Sequence, residues 1–283
     1  MAKYGMPYMG SKSGIAEKII NILPKAPVLY DLFGGGGAIT HCAALSGKWR
    51  KIVYNDINKV IVDGFRTAIN GGFKDEKRWI GRKDFFRLTK YDPYVNMCFS
   101  FGNKGNSYAY SKEIEPLKKA MHYALFFHNW EPLKKLTGID LSRECADLPN
   151  IMDRYFLLKK HIKESENRLQ SLEWFVRLQQ LDNLTRLVRL QTYNEDYSKV
   201  PLTEKGIIYC DIPYENTVEY SQAGSFDHDK FYKWVAEQDL PVYVSSYEIN
   251  RPHFRCIASI KKRNTLSASA NKLVYERVYR YIK

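Results

Sequence analysis

Residues 26–47 read APVLYDLFGGGGAITHCAALSG. An apolar run over 26–33 passes into four consecutive glycines, Gly34 to Gly37. A segment of helical apolar spacing, 38–47, follows at once and closes on Gly47. Few backbones satisfy such a stretch. Glycines reach positive φ and let another group approach the main chain, and the first turn of the following helix leaves N–H groups free. The surrounding pattern repeats the unit. GIAEKIINIL (14–23) has helical spacing, KIVYND (51–56) reads as a second strand, and NKVIVDGFRTAING (58–71) as a second helix. Strands alternating with helices predict a parallel sheet in an α/β domain.

The alternation stops at residue 72. From there to about 185 the chain is rich in aromatic and charged residues. Helices are expected near 112–125 and 165–181, with no repeated strand–helix unit. The α/β pattern resumes with a strand at 205–211, a helix at 227–238, a strand at 241–247 and two β-rich runs at 254–262 and 273–282. We therefore expect a discontinuous domain, 1–71 and 186–283, interrupted by an insertion over 72–185.

The 283 residues carry a net charge of +13. Between Arg251 and Lys283 nine Lys and Arg face one acid, Glu276. Between Lys74 and Lys135 thirteen face seven acids. Two basic segments suit a polyanion, although a solvated surface has the same composition. The five cysteines are scattered, none at zinc-ligand spacing, which argues against a disulfide framework or a metal site. No apolar run reaches the roughly 18 residues of a membrane helix, and the N-terminus has no signal-peptide core. These features point to a cytosolic protein with reduced thiols, without metal or membrane.

The glycine turn is not a P-loop, which would need G-x-x-x-x-G-K-[ST], and Ile39 stands where a dinucleotide fingerprint has its third glycine. It suits a phosphate, the carboxylate end of another cofactor, or a plain tight turn. Asp56 ends the next strand, where an acid accepts ribose hydroxyls in sheet-top sites; a helix cap is the alternative. Together the two favour an adenosine-containing cofactor. Asp31, at the first strand end, orients the turn or makes an ordinary structural hydrogen bond.

A second constellation stands at KGIIYCDIPYENT, residues 205–217. If the apolar run is a central strand, Asp211 emerges at its carboxyl end, where α/β ligands bind. Pro213 holds Ile212 extended, which directs the Ile212 carbonyl as a second acceptor, and Tyr214 offers a ring face for a base. Two acceptors and a ring suit an exocyclic amine.

With that, the chain resembles a Dam-like, alpha-group DNA adenine N6-methyltransferase. DLFGGGGAIT, the long insertion and CDIPY follow that family's order over nearly the whole chain, most weakly across 126–190. The resemblance implies a Rossmann-like S-adenosylmethionine-dependent methyltransferase sheet with a helical target-recognition insertion. It implies S-adenosylmethionine as cofactor, double-stranded DNA as partner, and transfer to N6 of a flipped-out adenine at a specific site. It further implies a bacterial or phage-encoded enzyme, as in restriction–modification, acting on the nucleoid as a monomer or weak dimer.

Residue by residue, the resemblance extends to PYMGSKSGIAEKIINILP (7–24), where Tyr8 and Lys12 match positions lining the cofactor and target pocket. Phe33, Gly34, Gly35 and Gly36 belong to the glycine motif. Asp196 in YNEDYSKV matches the acid before the catalytic strand. Asn103, Lys104 and Asn106 in FSFGNKGNSYAYSKE (99–113) match the segment nearest DNA, and Lys262 and Arg263 belong to the C-terminal basic run. Each has a plain counterpart as core aromatic, loop residue or surface charge. One departure stands out: Ile212 replaces the family's first proline, which keeps the carbonyl and loses the ring. The same amine chemistry would serve N4-methylation of cytosine, and a DNA-binding relative with impaired catalysis would look alike.

Overall fold

A computed structural model describes residues 4–101, 105–163, 166, 168–179, 181–182, 184–215, 226–263 and 273–283. These group into two compact units, one of 1–6, 10–71 and 181–283, the other of 7–9 and 72–180.

In the first unit a 3₁₀ turn, Lys12–Gly14, leads into α1 (Ala16–Ile22), β1 (Val28–Asp31), α2 (Ala38–Ser46), β2 (Lys51–Asn55) and α3 (Lys59–Ile69). In the second unit come α4 (Arg82–Leu88), α5 (Pro93–Cys98), α6 (Glu115–Phe127), α7 (Glu131–Thr137), α8 (Ile151–Lys159) and α9 (Gln170–Gln179). The chain then completes the first unit with β3 (Arg189–Tyr193), β4 (Gly206–Asp211), α10 (His228–Glu237), β5 (Val242–Ser246), β6 (Phe254–Arg263) and β7 (Leu273–Tyr281).

The seven strands form one sheet in the order β3-β2-β1-β4-β5-β7-β6. β1 pairs in parallel with β2 and β4, and β4 with β5, while β7 runs antiparallel between β5 and β6. This is a Rossmann-like methyltransferase fold. β1 and β2 are buried at every position, as strands covered on both faces must be. Strand order reverses between β1 and β4, so the crevice for a ligand opens at their carboxyl ends. Those ends carry Asp31 and Asp211.

β3 has no counterpart in the sequence expectations. RLQTY is an edge strand, mostly exposed or half-buried, without the apolar run that marks a buried strand. In the second unit two helices were expected and six stand among the described residues. The four others (α4, α5, α7 and α8) are nine residues or shorter, too brief for the apolar period to emerge. Tyr110, Trp79, Phe99, His122 and Phe126 make the second unit's aromatic core.

Candidate active site

The glycine turn is held from three sides. Gly34 donates to the Asn55 carbonyl at 2.7 Å. The Tyr54 hydroxyl donates to the Gly35 carbonyl at 2.7 Å, and the Met6 amide to the Gly36 carbonyl at 2.6 Å. A Cβ at Gly34 would sit 2.2 Å from the Tyr54 ring, and one at Gly5 2.6 Å from the Gly36 carbonyl. The turn and the N-terminal segment are thus close-packed through backbone alone.

Asp56 closes the fourth side. Its Oδ2 accepts the Gly35 amide at 2.8 Å and its Oδ1 the Asn58 amide at 2.9 Å. Asn58 itself caps α3. The carboxylate therefore clamps the turn and keeps spare lone pairs for a hydroxyl. Asn55 adds a tie: its Nδ2 donates to the Leu32 carbonyl at 3.0 Å and to the Glu195 carbonyl at 3.1 Å, holding the ends of β1 and β3 together.

Asp31 is 1% exposed. Thr40 donates to its Oδ2 at 2.7 Å, while Oδ1 is buried with no hydrogen-bond partner among the described residues. Burial raises its carboxyl to about 7 against the pull of the Thr40 hydrogen bond. A buried acceptor with no donor among the described residues, beside a backbone-lined turn and an acid at the next strand end, fits the ammonium end of a nucleoside that carries an amino acid, such as S-adenosylmethionine. Phe33 packs its ring on Tyr197 at 5.2 Å. Asp196 caps the 3₁₀ turn Tyr197–Lys199 through the Ser198 amide at 2.9 Å.

At the end of β4 stands a group of charges. Lys12 Nζ is 2.6 Å from Asp211 Oδ1 and 3.7 Å from Glu276 Oε1, and donates to the Tyr214 hydroxyl at 2.6 Å. Tyr214 in turn donates to Glu276 Oε1 at 2.6 Å, and Lys262 Nζ meets Glu276 Oε2 at 2.6 Å. Glu276 is fully buried, Lys12 is 5% exposed, and Asp211 keeps one-fifth of its side chain accessible.

The two acids diverge. Burial raises Asp211, with Lys12 opposing and Glu276 adding to the rise. Burial also pushes Glu276 up, but Lys12 and Lys262 outweigh it and hold it below the usual range. Burial, with the charges of Asp211 and Glu276, raises the Tyr214 hydroxyl so far that it remains a donor. Its ring lies 4.3 Å from that of Tyr247, with Lys12 5.0 Å from its centre.

Ile212 is 3% exposed and belongs to the core beneath the site, with Phe231, Val244 and Ile249. The motif's rigidity is thus supplied partly by side-chain burial. His228, at the start of α10, adds a hydrogen bond from Nε2 to the Pro213 carbonyl at 2.8 Å.

Lys12, Asp31, the glycine turn, Asp56, Asp211 and Tyr214 all stand at the carboxyl edge of the first unit's sheet. Lys262 is turned inward onto Glu276. Tyr8 is half-buried and falls in the 7–9 segment of the second unit. Asn106 is exposed in the second unit. Asn103 and Lys104 lie outside the described residues, as does the side chain of Arg263. Glu276, Tyr247, His228 and Asn55 were not foreseen. A signal existed for Glu276: it is the lone acid of a basic, aromatic strand, and a Glu buried in a sheet requires partners. Among the described residues no three His, Cys, Asp or Glu gather as a metal site, and no helix is long and apolar enough to cross a membrane.

Residues 8–128 match the family model described as D12 class N6 adenine-specific DNA methyltransferase. No curated protein matches the chain. Among solved structures it is similar to HI0767 from Haemophilus influenzae, described as a candidate methylase, at 11% identity over 95% of this chain and 89% of that one, with a TM-score of 0.33. That likeness is too distant to carry an argument; the family match covers the glycine turn and the head of the insertion and supports the expected Dam-like, adenine-specific DNA methyltransferase.

Proposed function

We propose that the chain transfers a methyl group from S-adenosylmethionine to N6 of an adenine turned out of double-stranded DNA at a specific sequence. The observation that carries this reading is the pair of carboxylates at the switch point. Asp31 ends β1 with one oxygen lacking a donor among the described residues, and Asp211 ends the neighbouring β4 inside Asp-Ile-Pro-Tyr. The first fits a cofactor's ammonium, the second a base's amine.

S-adenosylmethionine, when bound, supplies an electrophilic methyl group. The chain's part is to hold the partners. Asp31 takes the amino end and Asp56 the ribose hydroxyls, with Phe33, Gly34, Gly35, Gly36 and Asp196 bordering the same sheet edge. Asp211 and the Ile212 carbonyl accept the two amine N–H bonds, which draws density toward the nitrogen. Tyr214 offers its ring for stacking. The nitrogen would gain the methyl as the methyl–sulfur bond breaks, leaving a neutral thioether, and would give up one proton; Asp211, raised by burial, is the group able to take it. Positioning carries most of the rate. The base must leave the duplex, because a stacked amine is out of reach. The helical second unit, with Asn103, Lys104 and Asn106, reads the target, and Arg263 of the first unit adds a phosphate contact. The fold and the basic segments support DNA as substrate.

Incubating the protein with unmethylated duplex DNA and S-adenosylmethionine, then analysing the digested nucleosides, tests the reading. N6-methyladenine is expected. N4-methylcytosine would shift the assignment to the other amine, and DNA binding with no methyl incorporation would identify an impaired relative.

A further inference from the structure

Lys12 competes with an incoming amine for the Asp211 carboxylate. Its ammonium holds Asp211 Oδ1 at 2.6 Å, on the carboxylate that is to accept one amine N–H. A second acceptor is already in place: Glu276 Oε1, 3.7 Å from the same nitrogen. Glu276 is fully buried, yet nothing in cofactor binding or methyl transfer as described uses it. Its other oxygen is held by Lys262, and its Oε1 by the Tyr214 hydroxyl.

We propose that Glu276 is a positioning residue of the amine pocket: it receives Lys12 when the target amine displaces that ammonium from Asp211, and it holds the Tyr214 ring in place meanwhile. The inference rests on the amino-methyltransferase reading above. Among the described residues Lys12 and Lys262 face both Asp211 and Glu276, so the exchange moves Lys12 from one anion to a neighbouring buried one. Without Glu276, Lys12 loses the second carboxylate seen within 4 Å of it among the described residues, and the amine must compete with an intact Lys12–Asp211 pair. Tyr214 also loses its hydrogen bond to Glu276 Oε1.

The charge balance makes the role readable. Groups facing Asp211 are Lys12, Tyr214, Asp31 on β1, Tyr209 and Cys210 on β4, Lys262 on β6 and Glu276 on β7. Glu276→Gln removes one negative neighbour and leaves both lysines. Asp211 then ionises at lower pH, and the acid limb of kcat/KM for methyl transfer moves down. The rate itself falls roughly ten- to a hundredfold, as for loss of a charged hydrogen-bond partner. Glu276→Asp keeps the charge, restores the limb and recovers part of the rate. Affinity for S-adenosylmethionine, read by calorimetry, stays unchanged in both.

The experiment is steady-state methylation of a duplex across the active pH range, by the full chain and both variants. It is paired with ¹³C NMR titration of Asp211 in the free proteins. A wild-type rate and limb in Glu276→Gln overturns the inference, as does an equal loss in both variants with no movement of the limb. If the wild-type chain methylates nothing, the functional reading fails. The inference is then judged on the NMR titration alone: an Asp211 that titrates identically in all three proteins refutes it.

Discussion

Lys12 Nζ lies 2.6 Å from Asp211 Oδ1, joining a residue of the first turn of the chain to the end of a central strand some two hundred positions later. The pair is almost enclosed, and such pairs are costly to break from one side because the remaining charge stays buried. Lys12→Met leaves Asp211 beside Glu276 with Lys262 as the remaining cation of the cluster among the described residues. We expect a loss of about 1–3 kcal/mol at alkaline pH, discounted because Asp211 keeps some exposure. Asp211 is raised already and rises further without Lys12, so it protonates as pH falls and the penalty shrinks. Urea unfolding at about pH 8 and about pH 5.5 checks this; a loss that is larger at the acidic value contradicts it.

Ile212 occupies the motif position where a ring would fix the backbone, and its side chain is buried in the core. Ile212→Ala keeps the carbonyl and removes the anchor. The expected cost is about 2–4 kcal/mol of stability, with transfer per folded molecule reduced only a few-fold. A collapse of turnover in fully folded protein would mean the side chain, and not the carbonyl alone, serves the reaction.

The sheet, and the placing of the glycine turn and Asp211 at its carboxyl edge, were legible in the sequence because each rests on local chemistry. Four glycines after an apolar run can hardly be other than a tight strand-to-helix turn, and Pro213 restrains Ile212 without reference to the rest of the fold. β3 was not legible, since RLQTY is an edge strand whose residues face water. Nor was the meeting of Lys12, Tyr214, Lys262 and Glu276, which depends on β7 running antiparallel beside β5. Spacing along a chain carries no information on which late strand lies under which early turn. Lys262 shows the consequence. In the sequence it is one of nine basic residues, while in the fold its ammonium is held inward by a carboxylate.

Gly34 packs against the face of Tyr54, whose ring also stacks on Phe65 at 4.1 Å. Gly34→Ala must push that ring aside and with it the hydroxyl that holds the Gly35 carbonyl. Overpacking of this kind costs about 1–3 kcal/mol. Because the displaced groups shape the turn, affinity for S-adenosylmethionine should weaken more than tenfold while the transfer residues at β4 are untouched. Calorimetry measures the affinity, and tight binding by the variant would detach the turn from the cofactor.

Asp31 sets function against stability. Its carboxyl is raised from the ordinary 3.8 to about 7, chiefly by burial, with Thr40 opposing and Asp211 and Asp56 contributing. A raised folded-state value means the folded protein holds a proton that the unfolded chain releases. The stability associated with that proton is complete below the unfolded value and is lost as pH rises through about 7, on the order of 4 kcal/mol in full. Asp31→Asn removes the loss, so the variant should gain thermal stability above pH 7 relative to wild type, with the advantage fading toward acid. A cationic ammonium binds the ionised form. Wild-type affinity for S-adenosylmethionine should therefore climb as pH approaches 7 from below, with a proton released on binding, whereas the variant should bind weakly and without that slope. Calorimetry in buffers of different ionisation enthalpy counts the proton. Binding by wild type with no proton released at about pH 6, or a variant no more stable than wild type at about pH 8, would remove Asp31 from the role assigned to it.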